Sequence, residues 1–275
     1  VEKFENRKIK NRLMKKNTVS SIFTSMRLSL AFLTRLPVGP LPQIREEDMQ
    51  RSTAFFPLAG YLLALLTLIP AAGLNLWITQ TSGEPVSLPK CFLLAVLTVA
   101  TLAWLTRGLH LDGLADMADG FGGGFTPEKR LEIMKDPRTG SFGVTALSLT
   151  LLIKTAALAS LFGESHFLSC ATALVLSRLT LTLLTALGRY PRPSGTAGSM
   201  VGKIAFRYVV TAVTLTTPVL LIPGGLIAAG VMGLVSAWVW RTSNRLIGGI
   251  TGDVLGACCE LGETLGLATL AFTLS

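Results

Sequence analysis

The sequence predicts an all-α, polytopic transmembrane helix bundle of about seven spans with an N-terminal amphipathic helix. Three observations point there. Half of the 275 residues are hydrophobic and only 15% are charged, whereas soluble domains carry about a quarter charged residues. Apolar runs long enough to cross a bilayer recur along the whole chain, and mean hydropathy is +0.56. Lys and Arg gather in alternate connecting segments, as the positive-inside rule requires.

The chain begins with a basic stretch, VEKFENRKIKNRLMKK, that has no apolar core followed by a small-residue cleavage site, so it does not read as a signal peptide. Residues 1–18 are expected to be a disordered basic extension, with Met14 as a natural start, and residues 19–275 to form one integral-membrane catalytic domain. Val19, Ile22, Phe23, Met26, Leu30 and Leu33 fall at helical spacing, interrupted by Arg27 and Arg35. That pattern fits an interfacial amphipathic helix, ended by Pro37, Pro40 and Pro42.

Span one covers about 54–77, span two 90–107, span three 143–163 and span four 167–187. The run 208–240 is too long for one span, and Pro223-Gly224-Gly225 divides it into two helices with a tight turn. A last span covers about 254–273. Placing the N-terminus in the cytoplasm satisfies the charge rule at every loop. The polar loops 108–142, 188–207 and 241–253 then share one face, which is where chemistry can be assembled.

Net charge is +9. The loop bias accounts for it, and no basic patch interleaved with aromatics suggests nucleic acid. Cys91, Cys170, Cys258 and Cys259 lie in or near apolar segments with no C-x-x-C pair, so they read as small buried hydrophobes.

HLDGLADMADGFGGG, residues 110–124, carries the chemistry. Asp112, Asp116 and Asp119 are spaced i, i+4, i+7 and share one helical stripe. A divalent cation would relieve their repulsion, and Mg²⁺ prefers oxygen ligands and substrate phosphates. The spacing is wrong for an EF-hand, and P-loop and dinucleotide fingerprints are absent. A solvated acidic helix end is the competing explanation. Gly122 and Gly123 allow close backbone approach to an anion, or form a plain flexible loop.

KRLEIMKDPRTGSFG, residues 129–143, adds Lys135 and Arg138 as phosphate-binding groups and Asp136 as a further metal ligand. GGITGDVLGA, residues 248–257, places Asp253 on the same face. Lys154 and Arg178 lie within spans, either lining an anion-accepting cavity or pairing with acidic residues. His110 is a candidate proton shuttle or a structural histidine.

GLHLDGLADMADGFGGG and RLEIMKDPRTGSFGV resemble the two signature motifs of the cobalamin synthase (adenosylcobinamide-GDP ribazoletransferase) family, with Pro137 where the family usually has Ser. FLTRLPV, GRYPRPSG and GGITGDVLGA extend the resemblance over nearly the whole chain. It implies that the 5′-hydroxyl of α-ribazole, or its 5′-phosphate form, attacks the cobinamide-bearing phosphorus of adenosylcobinamide-GDP. GMP leaves, and adenosylcobalamin or its phosphate forms. It also implies Mg²⁺ and a bacterial or archaeal cytoplasmic membrane, with the site facing the cytoplasm. On it, Asp112, Asp116 and Asp119 hold Mg²⁺, Asp116 being also catalytic. Asp136 is a ligand or the base, and Lys135, Arg138, Arg178 and Lys154 hold phosphate oxygens. A homodimer, or a complex with other enzymes of the pathway, is compatible with it.

Two alternatives compete. A CDP-alcohol phosphotransferase would show D-G-x-x-A-R, which DGLADM at 112–117 does not follow, because Asp116 and Met117 stand where Ala and Arg are required. A membrane transporter would explain intramembrane charge but not the acidic cluster with its glycine run.

Overall fold

The computed structural model describes residues 21–274, so the basic extension expected over residues 1–18 lies outside the described residues. Every regular element described is helical. Helix α1 covers Ser21–Leu33, the amphipathic segment. Helix α2, Glu46–Ser52, continues through a 3-10 turn, Thr53–Phe55, into α3, Phe56–Ser82. The remaining helices are α4 (Leu88–Leu105), α5 (Leu109–Gly123), α6 (Pro127–Ile133), α7 (Ser141–Gly163), α8 (Phe167–Leu187), α9 (Phe206–Leu220), α10 (Gly225–Ile247) and α11 (Gly252–Leu274).

Six helical stretches are long and apolar enough to cross a membrane: Glu46–Ser82, α4, α7, α8, α10 and α11. The other helix expected to span, α9, has 15 residues, roughly 22 Å against a hydrocarbon core of about 30 Å. It nonetheless runs between the two ends of the bundle. At its start the Tyr208 hydroxyl meets Arg51 of α2. Past its end, Pro223 accepts a hydrogen bond from Ser169 in the first turn of α8. The loop expected over 108–142 is largely helical, because Leu114 and Met117 of α5 bury against α11 residues such as Val254 and Leu255.

Helices α8 and α11 form the centre. Leu158, Phe162, Leu174, Val175 and Leu267 are inaccessible to solvent. Small residues set the closest approaches: a Cβ on Gly60 of α3 would lie 2.6 Å from the Leu174 carbonyl oxygen of α8, so no side chain larger than hydrogen fits there. Large apolar side chains such as Ile69, Phe92, Leu152 and Leu234 face outward, as expected where lipid replaces water.

Hydrogen bonds knit the loops at one end into a cap. Ile250 N–H donates to Arg189 at 2.8 Å. Arg130 of α6 donates to the Leu246 carbonyl at the end of α10, and Gln50 of α2 donates to Ser199. The three motif-bearing segments therefore meet on one face.

Candidate active site

Helix α5 starts from a sharp corner after α4. Arg107 and Gly108 both adopt the left-handed conformation, at φ 58° and 66°, which is unfavourable for the arginine. Two hydrogen bonds hold it: Nη2 donates to the carbonyls of Ala31 and Thr34, both at 2.7 Å. These carbonyls lie at the end of α1, where helical acceptors lack partners.

From that corner α5 lies against the start of α11 at backbone distance. A Cβ on Gly113 would lie 2.7 Å from the Asp253 carbonyl oxygen, and one on Gly256 would lie 3.2 Å from His110 Cα. The pairing of Gly113 with Asp253 and of His110 with Gly256 means that the helices run antiparallel. Asp253, in the first turn of α11, is thereby set beside the first two turns of α5.

Asp112 is exposed in the first turn of α5, where the helix dipole favours a carboxylate. Asp116, one turn on, is partly buried. Burial, then the charges of Asp112, Asp253 and Asp119, push its carboxyl up to about 7, opposed by Arg192. Arg192 Nη2 lies 3.1 Å from Asp253 Oδ2, and the Thr251 hydroxyl donates to the same oxygen at 3.2 Å. The site is thus a concentration of carboxylates with one guanidinium beside it.

Asp119 stands differently. Its Oδ2 accepts the Gly140 amide at 2.7 Å and its Oδ1 accepts the Gly143 amide at 2.8 Å. It is buried and holds the N-terminus of α7 against α5. Among the described residues no three His, Cys, Asp or Glu groups converge as they stand on one ion-sized point.

The glycine run is neither a flexible loop nor an open anion cradle. Gly122 and Gly123 form the last residues of α5. A Cβ on Gly122 would lie 2.6 Å from the Phe142 ring, and one on Gly120 2.4 Å from Met134. The glycines let α6 and the start of α7 close over α5.

Asp136 and Arg138 pair with each other at the surface, with two side-chain contacts of 2.9 and 2.7 Å. The Arg138 hydrogen bonds hold the Asp136 carboxyl down at about 2. Lys135 is exposed beside them. The Asp136 and Arg138 side chains bond to each other and to none of Asp112, Asp116 and Asp253.

Lys154 and Arg178, open between two readings from sequence, are buried in ion pairs. Lys154 contacts Glu260 and, at 2.9 Å, Glu263; Arg178 contacts Glu263 Oε2, which also accepts from the Ser177 hydroxyl. Two cations and two anions balance. Glu260 and Glu263 were missed, although two acids inside the apolar run 254–273 are a signal in themselves. His110 is buried nearby, and its Nε2 has no hydrogen-bond partner.

A family model for cobalamin-5-phosphate synthase matches residues 25–271. Among curated relatives, adenosylcobinamide-GDP ribazoletransferase of Syntrophobacter fumaroxidans is 41% identical, covering 88% of this chain and 96% of its own. The protein of that name from Ectopseudomonas mendocina is 37% identical, covering 90% and 98%. That of Escherichia coli is 36% identical, covering 92% and 100%. No solved structure gives a significant match.

Proposed function

The chain belongs to the cobalamin-5-phosphate synthase family, and from that membership we propose that its α5–α11 face carries Mg²⁺-dependent transfer. The reaction is adenosylcobinamide-GDP ribazole transfer, the joining of the two halves of cobalamin with release of GMP. Neither the lipid-transferase nor the transporter alternative is favoured by these relatives.

The 5′-hydroxyl that the resemblance suggests as nucleophile fails on chemistry. In the 5′-phosphate acceptor that oxygen is already esterified. The nucleophile common to both acceptors is a secondary ribose hydroxyl. It attacks the phosphorus bearing cobinamide, the bond to the bridging pyrophosphate oxygen breaks, and GMP carries that oxygen away.

One observation supports the reading most: Asp112, Asp116 and Asp253 stand together where burial, and then the charges of the neighbouring carboxylates, push Asp116 up to about 7 against the opposing charge of Arg192. Excess negative charge in a partly buried place is what a cation relieves. Mg²⁺ is bound through one or two carboxylates together with waters and substrate phosphates, so three converging protein ligands are not needed. Asp112 and Asp116 would hold it, and when bound it neutralises charge on the pyrophosphate oxygens.

The chain's own residues do the rest. Arg192, held by Asp253, presents its remaining guanidinium donors to phosphate oxygens. Thr251 fixes Asp253 by a hydrogen bond, and the Val254 amide donates back to the Thr251 hydroxyl at 3.3 Å. Asp119 keeps the roof of α7 in register. In such transfers positioning and electrostatics supply most of the rate.

We place the site on the cytoplasmic face of the bacterial or archaeal inner membrane. The site end carries Lys129, Arg130, Lys135, Arg138, Arg189, Arg192, Lys203 and Arg207, while the segments 83–87, 164–166 and 221–224 at the other end carry no Lys or Arg.

The test is purified protein in liposomes with adenosylcobinamide-GDP and α-ribazole, with and without Mg²⁺, following GMP and corrinoid product. Product that requires Mg²⁺ and is lost in D116A is expected. Product formed equally under chelation would remove Mg²⁺ from the reading, and no product at all from folded protein would remove the reaction.

A further inference from the structure

A cleft of about 730 Å³ opens where the end of α1 meets the α4–α5 corner and α7. Phe32, Leu111, Ala115 and Leu147 give it apolar walls, with Arg107, Thr139 and Asp112 at its polar positions. It reaches the acidic site directly, since Asp112 belongs to both. We propose that this cleft is the acceptor subsite, taking the flat apolar benzimidazole base of α-ribazole so that its ribose lies beside Asp112. The proposal rests on the ribazole-transfer reading and names which half of the reaction this wall serves.

Size and polarity choose between the three groups that must bind. The volume falls in the usual range for small-ligand pockets, roughly 300–1,000 Å³. A corrin macrocycle with its side chains and adenosyl group is too bulky for it. Guanine carries donors and acceptors along its edge, and the polar side chains in reach of it are Arg107, Asp112 and Thr139. Arg107 Nη2 is already committed to the Ala31 and Thr34 carbonyls, and Asp112 belongs to the phosphate site. A substituted benzimidazole has no N–H donor once it is a riboside, and its edge is hydrocarbon. Phe32, Leu111 and Leu147 are the partners such a surface needs.

The wall contributed by α1 is rigid. Besides the two Arg107 bonds, the Arg35 amide donates to the Leu105 carbonyl at 2.8 Å. The Arg35 guanidinium lies 4.4 Å from the centre of the Trp104 ring, within the range of a cation–π contact. Phe32 stacks on Phe56 of α3 with ring centres 5.9 Å apart. A left-handed arginine is costly, and here it fixes the corner from which both the cleft and Asp112 begin. The amphipathic helix is thereby part of the site.

Leu147 lines the cleft from α7 and is only partly buried, so Leu147→Trp fills the space without removing a charged group. In reconstituted enzyme, L147W should raise KM for α-ribazole at least about tenfold while KM for adenosylcobinamide-GDP stays within about twofold, the scale on which apolar pockets discriminate. Leu147→Ala, a milder change, should move the same KM in the same direction. Any other pattern, whether a rise for adenosylcobinamide-GDP or no change in either, overturns the assignment. Equilibrium dialysis of α-ribazole alone decides it without turnover: wild type should retain the nucleoside and L147W should not. Equal retention, or none by the wild type, overturns it. Were wild type to bind α-ribazole and lose it on L147W yet make no product, the reaction would be wrong and the subsite right.

Discussion

Asp119 Oδ1 accepts the backbone amide of Gly143 at 2.8 Å across 24 residues of chain, and that bond separates Asp119 from the two aspartates before it. Its other oxygen takes the Gly140 amide. A carboxylate on the first amides of a helix both fills orphan donors and complements the dipole. Asp119→Ala should therefore lower the stability of the whole protein by roughly 2–4 kcal/mol, the cost of two orphaned amides. Asp112→Ala and Asp116→Ala should abolish turnover with little loss of stability. Thermal unfolding in detergent beside the liposome assay separates the two classes. A D119A protein as stable as wild type but inactive would return Asp119 to the metal.

Asp116 predicts a pH dependence. Its folded carboxyl sits at about 7, above an ordinary 3.8, because burial and three neighbouring carboxylates disfavour its charge. The folded state thus holds the proton more tightly than the unfolded chain does. Its contribution to stability is present below the ordinary value and is lost as pH rises toward about 7. The same proton competes with metal. In metal-free protein, stability should fall between pH 5 and pH 7 by a component absent from Asp116→Asn. Mn²⁺ affinity, read by electron paramagnetic resonance, should rise over that interval and flatten above it. Affinity independent of pH would show that Asp116 is not a ligand.

The four buried charges of Lys154, Arg178, Glu260 and Glu263 predict unequal single and paired substitutions. Each charge is largely shielded from solvent, so removing one leaves its partners uncompensated in a low-dielectric place, at a cost of about 3–5 kcal/mol. Glu263→Ala touches both cations and should be the most damaging. The pair K154M/E260L, which removes one charge of each sign, should be milder than either single change. Unfolding of E263A, K154M, E260L and K154M/E260L in detergent checks this. Additive effects would mean that the charges do not share one network.

Hydropathy and charge bias made the spans legible, because both are properties of short windows of sequence. The aspartate stripe was legible for the same reason, since i, i+4 spacing is local. What escaped was non-local. Arg192 and Asp253 are 61 residues apart, and nothing in either segment names the other. The glycine run read locally as loop or anion cradle, yet the Phe142 and Met134 side chains that Gly122 and Gly120 admit belong to later elements. Asp119 shares a stripe with Asp112 and Asp116, but which stripe residue meets a neighbouring helix depends on where α7 begins.

Orientation gives the last prediction. The bulk of the basic residues lie at the site end, so that end should stay in the cytoplasm and the segment 83–87 should be outside. All four cysteines are buried, so they give little background to a membrane-impermeant maleimide. Glu84 and Glu128 are both exposed, one at each end of the bundle. Glu84→Cys should label in intact spheroplasts, and Glu128→Cys should label only after the membrane is opened. The short α9 sharpens the test. With 15 residues it spans a bilayer of ordinary thickness only if the flanking segments 203–205 and 221–224 enter the interface or the bilayer thins. Ala205→Cys, just before α9, should then label from the cytoplasmic side and Leu221→Cys from the outside. Labelling of both from one side would make α9 a surface helix, leave six crossings, and require α10 to enter and leave differently.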